Sequence, residues 1–130
     1  MIVGIGTDLV DARRIARLLE RHGQRFLDKV FSEEERALAA ACADPAPLLA
    51  RRFAAKEAAA KALGSGFRDG VGWRDISTGR DDLGRPCLTL SGGAAARLER
   101  KLPAGMRPVL HVALSDEPPY AQAMVVIEGL

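Results

Sequence analysis

Leu48-Leu49-Ala50-Arg51-Arg52-Phe53-Ala54-Ala55-Lys56-Glu57-Ala58-Ala59-Ala60-Lys61-Ala62-Leu63 is the stretch on which the fold turns. Alanine, leucine, arginine, lysine and glutamate lose little freedom in a helix, and Gly64 stands where a left-handed terminating residue belongs. The run therefore predicts one long, largely alanine-faced helix over residues 48–63. Phe53 and Glu57 share one of its faces, a turn apart. Glu57 and Lys61, at i and i+4, have the spacing of a helix-supporting ion pair worth roughly 0.2–0.5 kcal/mol.

Before this helix, residues 2–7 are apolar with two glycines and predict a short strand ending in a tight turn, with Asp8 at its exit. Ile15, Leu18 and Leu19 recur at helical spacing between Asp11 and His22, and Gly23 marks the stop. Ser32 followed by Glu35 is a capping box, so a helix over about Glu33–Cys42 follows, ended by Pro45 and Pro47. After it, residues 64–72 hold four glycines in nine positions and predict a loop. Trp73–Thr78 and Pro86–Leu90 flank Asp82-Leu83-Gly84-Arg85 as a hairpin, and Ala94–Leu102 is a short helix. Residues 109–115 and 120–127 are two strands joined through Pro118-Pro119, the second alternating Ala121, Ala123, Val125 and Ile127 on one face. With helices clustered in the first half and no βαβ alternation, the expected class is α+β with a mainly antiparallel sheet.

The 130 residues fit a single domain over 1–130, and 48% hydrophobic with 28% charged residues excludes a disordered chain. Only six residues are aromatic, so the core is expected from Ala, Leu, Val and Ile, without base-stacking platforms. Net charge is 19 − 17 = +2, too weak by itself to imply nucleic acid or a membrane. Cys42 and Cys87 match no metal or redox spacing, and no signal or membrane-spanning segment is legible, so a reducing cytoplasm is expected.

Gly4-Ile5-Gly6-Thr7-Asp8 is not a dinucleotide fingerprint, because Leu9 stands where glycine or alanine is needed. Asp8 either caps the first helix or does chemistry. Two carboxylates such as Asp8 and Glu57, about 4 Å apart, repel by roughly 4 kcal/mol at an effective dielectric of 20, so together they demand a cation or a proton. Magnesium suits them, taking one or two carboxylates and completing its shell with water and phosphate. A nearby lysine and glycine amides then complete a phosphate-transfer inventory, with no P-loop lysine. Arg14, Arg17 and Arg21 form a basic ridge, either a solvated face, a dock for an acidic protein, or a grip on nucleic-acid phosphate. His111, mid-strand, is secondary.

Ile5-Gly6-Thr7-Asp8 with Arg14-Ile15, then Phe53-Ala54-Ala55-Lys56-Glu57-Ala58 with Lys61 and Gly64-Ser65-Gly66, resembles the 4′-phosphopantetheinyl transferases. The likeness is closest to the small bacterial holo-acyl-carrier-protein synthases. It covers about residues 2–15 and 51–66, and more loosely His111–Ser115. It implies transfer of phosphopantetheine from coenzyme A to a serine of apo acyl carrier protein, releasing adenosine 3′,5′-bisphosphate. By the same resemblance Asp8 and Glu57 would hold magnesium and Lys61 would neutralise or protonate the leaving phosphate. Glu57 or a water beside the metal would take the serine proton. Lys56, the Gly64-Ser65-Gly66 loop and His111 would contact coenzyme A, while Arg14, Arg21, Arg25 and Phe26 would meet the carrier protein. A homotrimer with its sites between subunits is implied as well. Some relatives carry histidine where this chain has Asp116. The competing readings are a nucleic-acid-binding module built on the arginine helix, with no metal requirement, and a coenzyme A-binding regulator without turnover.

Overall fold

In the computed structural model, which describes residues 1–130, the chain runs β1 (Ile2–Asp11), α1 (Ala12–His22), α2 (Gln24–Val30), α3 (Glu33–Ala40) and α4 (Ala46–Ala62). It continues through a 3₁₀ turn (Trp73–Asp75) to β2 (Ile76–Arg80), β3 (Pro86–Leu90), α5 (Gly92–Lys101), β4 (Pro108–Glu117) and β5 (Tyr120–Gly129). The long strands form an antiparallel sheet in the order β1-β5-β4, and β2 with β3 makes a separate hairpin. This is the expected α+β fold, with four of its five helices before the hairpin.

Alternation along β5 sends Ala121, Ala123, Val125 and Ile127 into the core. The register pairs Asp8 with Ala123, Gly6 with Val125 and Gly4 with Ile127, so these three β1 residues share the inner face. α4 lies on that face. A Cβ at Gly6 would stand 2.0 Å from the carbonyl oxygen of Ala58, and one at Gly4 would stand 2.1 Å from that of Ala62. Two glycines one strand period apart thus receive two residues one helical turn apart, and backbone meets backbone. The alanines on α4 are what let it come so close, and Ala54, Ala55, Ala58, Ala59 and Ala62 are all buried.

β1 runs straight through Asp8 to Asp11, without the tight turn expected after residue 7, so Asp8 sits inside a strand. Capping of α1 falls to Asp11, whose carboxylate accepts from the Arg13 amide at 2.9 Å. Gly23, at φ +53°, ends α1 and leads directly into α2, a helix the hydrophobic pattern did not reveal. α3 has its capping box but stops at Ala40, short of the expected Cys42. Pro45 and Pro47 do more than end α3: they start α4, where a proline's missing amide costs nothing. Trp73–Asp75 is a 3₁₀ turn, so the hairpin strands begin at Ile76.

The few aromatics are concentrated rather than dispersed. Phe31 meets Phe26 edge-on at 5.6 Å, Phe26 lies 6.4 Å from Phe53, Phe53 4.9 Å from Trp73, and Trp73 stacks on Phe67 at 3.7 Å. An aromatic spine therefore joins α2, α4 and the glycine loop, where aliphatic packing alone was expected.

Gly6→Ala is expected to lower the unfolding free energy by about 3 kcal/mol, because the strand and helix backbones must separate. Gly84→Ala, at φ +80° with nothing within 4 Å, should cost only about 1 kcal/mol. Urea titration of the two variants measures the contrast, and equal losses would contradict the packing argument.

Candidate active site

Asp8 comes off the inner face of β1, at the free edge of the sheet, beside the third and fourth turns of α4. The Lys61 ammonium donates to Asp8 Oδ1 at 3.0 Å and to the Thr7 carbonyl at 3.0 Å. The aspartate side chain is 17% exposed and the lysine 51%, so the pair opens to solvent on one side. Lys61 is therefore paired with the strand, and the expected i, i+4 partnership with Glu57 is not made.

Glu57 is half-buried and faces the same space. Burial pushes its pKa above the ordinary glutamate value and the negative charge of Asp8 pushes it further, while Lys61 and Arg14 act against the rise. The charge of Asp8 thus reaches Glu57 across the cleft between β1 and α4. Arg14 overlooks Glu57 from α1, its guanidinium 5.3 Å from the centre of the Phe53 ring. The shared face of Phe53 and Glu57 is where the first helix crosses α4.

α4 ends at the glycine loop, with Gly64 at φ +79° and Gly66 at φ +59°, conformations that glycine adopts without strain. Ser65 Oγ donates to the Gly66 carbonyl at 2.8 Å. This loop follows the Lys61 end of α4, toward the Gly4 end of β1. Arg14, Arg21 and Arg25 are exposed on α1 and α2. A groove between these helices has Leu18, Phe26, Phe53 and Trp73 in its floor, with His22, Arg25 and Lys29 among its lining.

Three expected site residues are placed elsewhere. Lys56, next to Glu57 in sequence, points about 100° around the helix and is 0% exposed. Its ammonium meets Glu35 Oε1 at 2.7 Å and donates to the carbonyls of Trp73, at 3.2 Å, and Ile76. With all three protons used inside the protein, Lys56 has none for a coenzyme A phosphate. Glu35 in turn accepts from the Ser32 and Thr78 amides and from the Thr78 hydroxyl, which itself accepts from buried Arg52. Burial lowers the Lys56 pKa and Glu35 opposes that fall. Phe26 is buried in the aromatic spine, so it floors the groove rather than projecting from it. His111 lies on the outer face of the sheet, away from α4, with Nε2 3.0 Å from Glu128 Oε1.

The buried tetrad of Glu35, Arg52, Lys56 and Thr78 was not read from the sequence. Its signal was there: Arg52 and Lys56 are one turn apart on an alanine helix, and cations on a buried face require an inward carboxylate. The capping-box Glu35 supplies it.

Asp8 and Glu57 offer hard oxygen donors, and burial disfavours the negative charge on Glu57, so the pair fits a divalent cation. No third Asp, Glu, His or Cys side chain joins them. No helix is long and apolar enough to cross a membrane.

Comparison with known proteins bears on this arrangement. The family model of the 4′-phosphopantetheinyl transferase superfamily matches residues 4–113. The holo-acyl-carrier-protein synthase of Methylobacterium nodulans is 58% identical over 130 residues, spanning 100% of this chain and 98% of that protein. The crystal structure of the synthase from Neisseria meningitidis superposes with a TM-score of 0.87 at 40% identity, covering 98% of this chain and 99% of that one. The synthase from Bacillus anthracis, solved in complex with coenzyme A (3′,5′-ADP), has a TM-score of 0.79 at 32% identity, covering 98% and 96%.

Because the folded pKa of Glu57 lies above its unfolded value, ionising this residue costs stability. That cost is absent below the unfolded pKa, develops as pH rises between the unfolded and folded values and is complete above the folded pKa. Glu57→Gln is therefore expected to raise the melting temperature at neutral pH, with a gain that shrinks as the solution is acidified. Calorimetric scans across pH measure it, and a gain that grows on acidification would refute the assignment.

Proposed function

The chain belongs to the 4′-phosphopantetheinyl transferase superfamily, alongside the holo-acyl-carrier-protein synthases, and on that premise we propose that it transfers phosphopantetheine from coenzyme A to a serine of apo acyl carrier protein with magnesium. The observation that carries this reading is the convergence of Asp8, Glu57 and Lys61 at one cleft between an edge strand and a helix.

Asp8 and Glu57 would hold magnesium, which when bound offsets their mutual repulsion and polarises the diphosphate of coenzyme A. Glu57, or a water it orients, takes the proton of the carrier serine. The serine oxygen attacks the phosphorus that bears the pantetheine arm, and that phosphorus loses its bond to the bridging oxygen of the nucleotide phosphate. Lys61, half exposed and held only at the mouth of the cleft, turns from Asp8 to that leaving oxygen and neutralises it. Adenosine 3′,5′-bisphosphate departs. Gly64, Ser65 and Gly66 border the phosphates. Arg14, Arg21 and Arg25 steer an acidic helix of the carrier protein onto the groove between α1 and α2.

A homotrimer accompanies this reading. The outer face of the long sheet exposes Ile5 (64%), Leu9 (66%) and Met124 (45%), side by side on β1 and β5, with nothing covering them. If copies of the chain meet on this face, His111 reaches a neighbour's coenzyme A site, although it cannot reach its own. Ile5→Asp is expected to convert a trimer into monomers in sedimentation, and a wild-type monomer would end the proposal.

Incubation with coenzyme A, magnesium and apo carrier protein should add one phosphopantetheinyl group per carrier, read by mass spectrometry. Glu57→Gln should lower kcat by about 100-fold or more with the fold intact, and Asp8→Asn should raise the magnesium requirement. Full turnover by Glu57→Gln, or by the wild type in excess chelator, would overturn the assignment.

A further inference from the structure

A lysine buried only to answer Glu35 needs one bond, yet Lys56 makes three. Its other two protons go to the carbonyls of Trp73 and Ile76, at either end of the 3₁₀ turn that follows the glycine loop. The Phe31 ring closes the pocket, its centre 5.8 Å from the same nitrogen. Trp73 is therefore held by its backbone, and its half-buried indole serves as a platform. Phe67 stacks on that indole at 3.7 Å with the ring planes 16° apart, while Phe53 of α4 lies 4.9 Å away.

Phe67 comes directly after Gly64-Ser65-Gly66. From Phe67 to Gly70 no backbone group makes a backbone hydrogen bond outside the loop. Buried Val71, with Gly70 packed against Gly93 of α5, holds the far side of the loop. On the near side, beyond the end of α4, the attachment is the stack of Phe67 on Trp73. The shape of the glycine stretch thus depends on where Trp73 stands, and Trp73 stands where Lys56 holds it.

We propose that Lys56 is a positioning residue for coenzyme A binding: by holding the Trp73 backbone it sets the indole on which Phe67 stacks, and so keeps the Gly64-Ser65-Gly66 stretch in its binding shape. This rests on the reading of the neighbouring cleft as a coenzyme A site. Lys56 and Glu57 then act on one ligand from opposite faces of α4, Glu57 in the cleft and Lys56 through two aromatic rings without touching the ligand. A loop already held in its binding shape loses less freedom when the ligand arrives. The effect therefore falls on affinity and leaves the chemical step unchanged.

Glu35→Gln and the double variant Glu35→Gln/Lys56→Met separate this role from one in stability alone. In the single variant a neutral lysine amine still has two protons for the two carbonyls; in the double variant no charge is stranded and no donor faces them. Melting curves report whether each folds, and Trp73, the sole tryptophan, reports on the turn by its fluorescence. Glu35→Gln is expected to keep the wild-type coenzyme A affinity within about 2-fold, read by calorimetry in magnesium. The double variant is expected to weaken it about 10-fold, with KM raised to match, kcat unchanged and Trp73 more open to acrylamide quenching. Phe67→Ala leaves the buried cluster intact and should weaken affinity likewise, which decides the question if the double variant does not fold. Wild-type affinity in Phe67→Ala or in the folded double variant, or a loss confined to kcat, overturns the proposal. A wild type that binds coenzyme A without modifying a carrier protein would count against the proposed activity, and the same affinity ratios would still decide the role of Lys56.

Discussion

Everything at the site depends on how closely β1 approaches α4. At Gly4 and Gly6 the strand backbone occupies space that any side chain would need, hard against the carbonyls of Ala62 and Ala58. The next inner-face residue of β1 is Asp8, and its position relative to Glu57 and Lys61 follows from that contact. A strand even one methyl group further out would carry Asp8 away from the Lys61 ammonium, which reaches it at 3.0 Å. Gly4 and Gly6 are thus packing residues, and the proposed chemistry lies beyond them.

The other side of α4 is held by a different kind of force. Lys56 and Glu57 are neighbours in the chain yet serve opposite faces: one is sealed in a buried ion pair, the other looks into the cleft. The buried pair joins α3 to α4, and the Lys56 bonds to Trp73 and Ile76 fix the far end of the glycine loop against the same helix. Removing one partner of such a pair strands a charge at a cost of about 3–5 kcal/mol. The loop beside the site is therefore anchored at both ends, by the end of α4 and by this clamp.

The fold was largely legible, because its signals are local. Alanine-rich α4, the Ser32–Glu35 box and the alternation of β5 each follow from propensity or period. α2 was not, since its seven residues hang on a glycine restart and on tertiary contacts of Phe26 and Val30 with the aromatic spine. The site was legible where residues share a short motif, as with Glu57 and Lys61, or where a resemblance joined distant motifs, as with Asp8. It failed at Lys56, because spacing shows which residues share a helix face but not which face is buried. The face of Lys56 is decided by Glu35, twenty-one positions upstream, and no periodicity connects the two.

The charge pattern separates scaffold from site. No buried side-chain nitrogen or oxygen lacks a partner, and the buried cations Arg52 and Lys56 are both answered by Thr78 or Glu35. Charge is left in tension where Asp8 and Glu57 face one cleft, the charge of the first raising the pKa of the second. That pair calls for positive charge, which a divalent cation would supply under the proposed function. A ligand that relieves this repulsion and binds only the folded chain adds its binding free energy to folding stability. The repulsion that Asp8 imposes on Glu57 would thus also favour a partner that brings positive charge into the cleft.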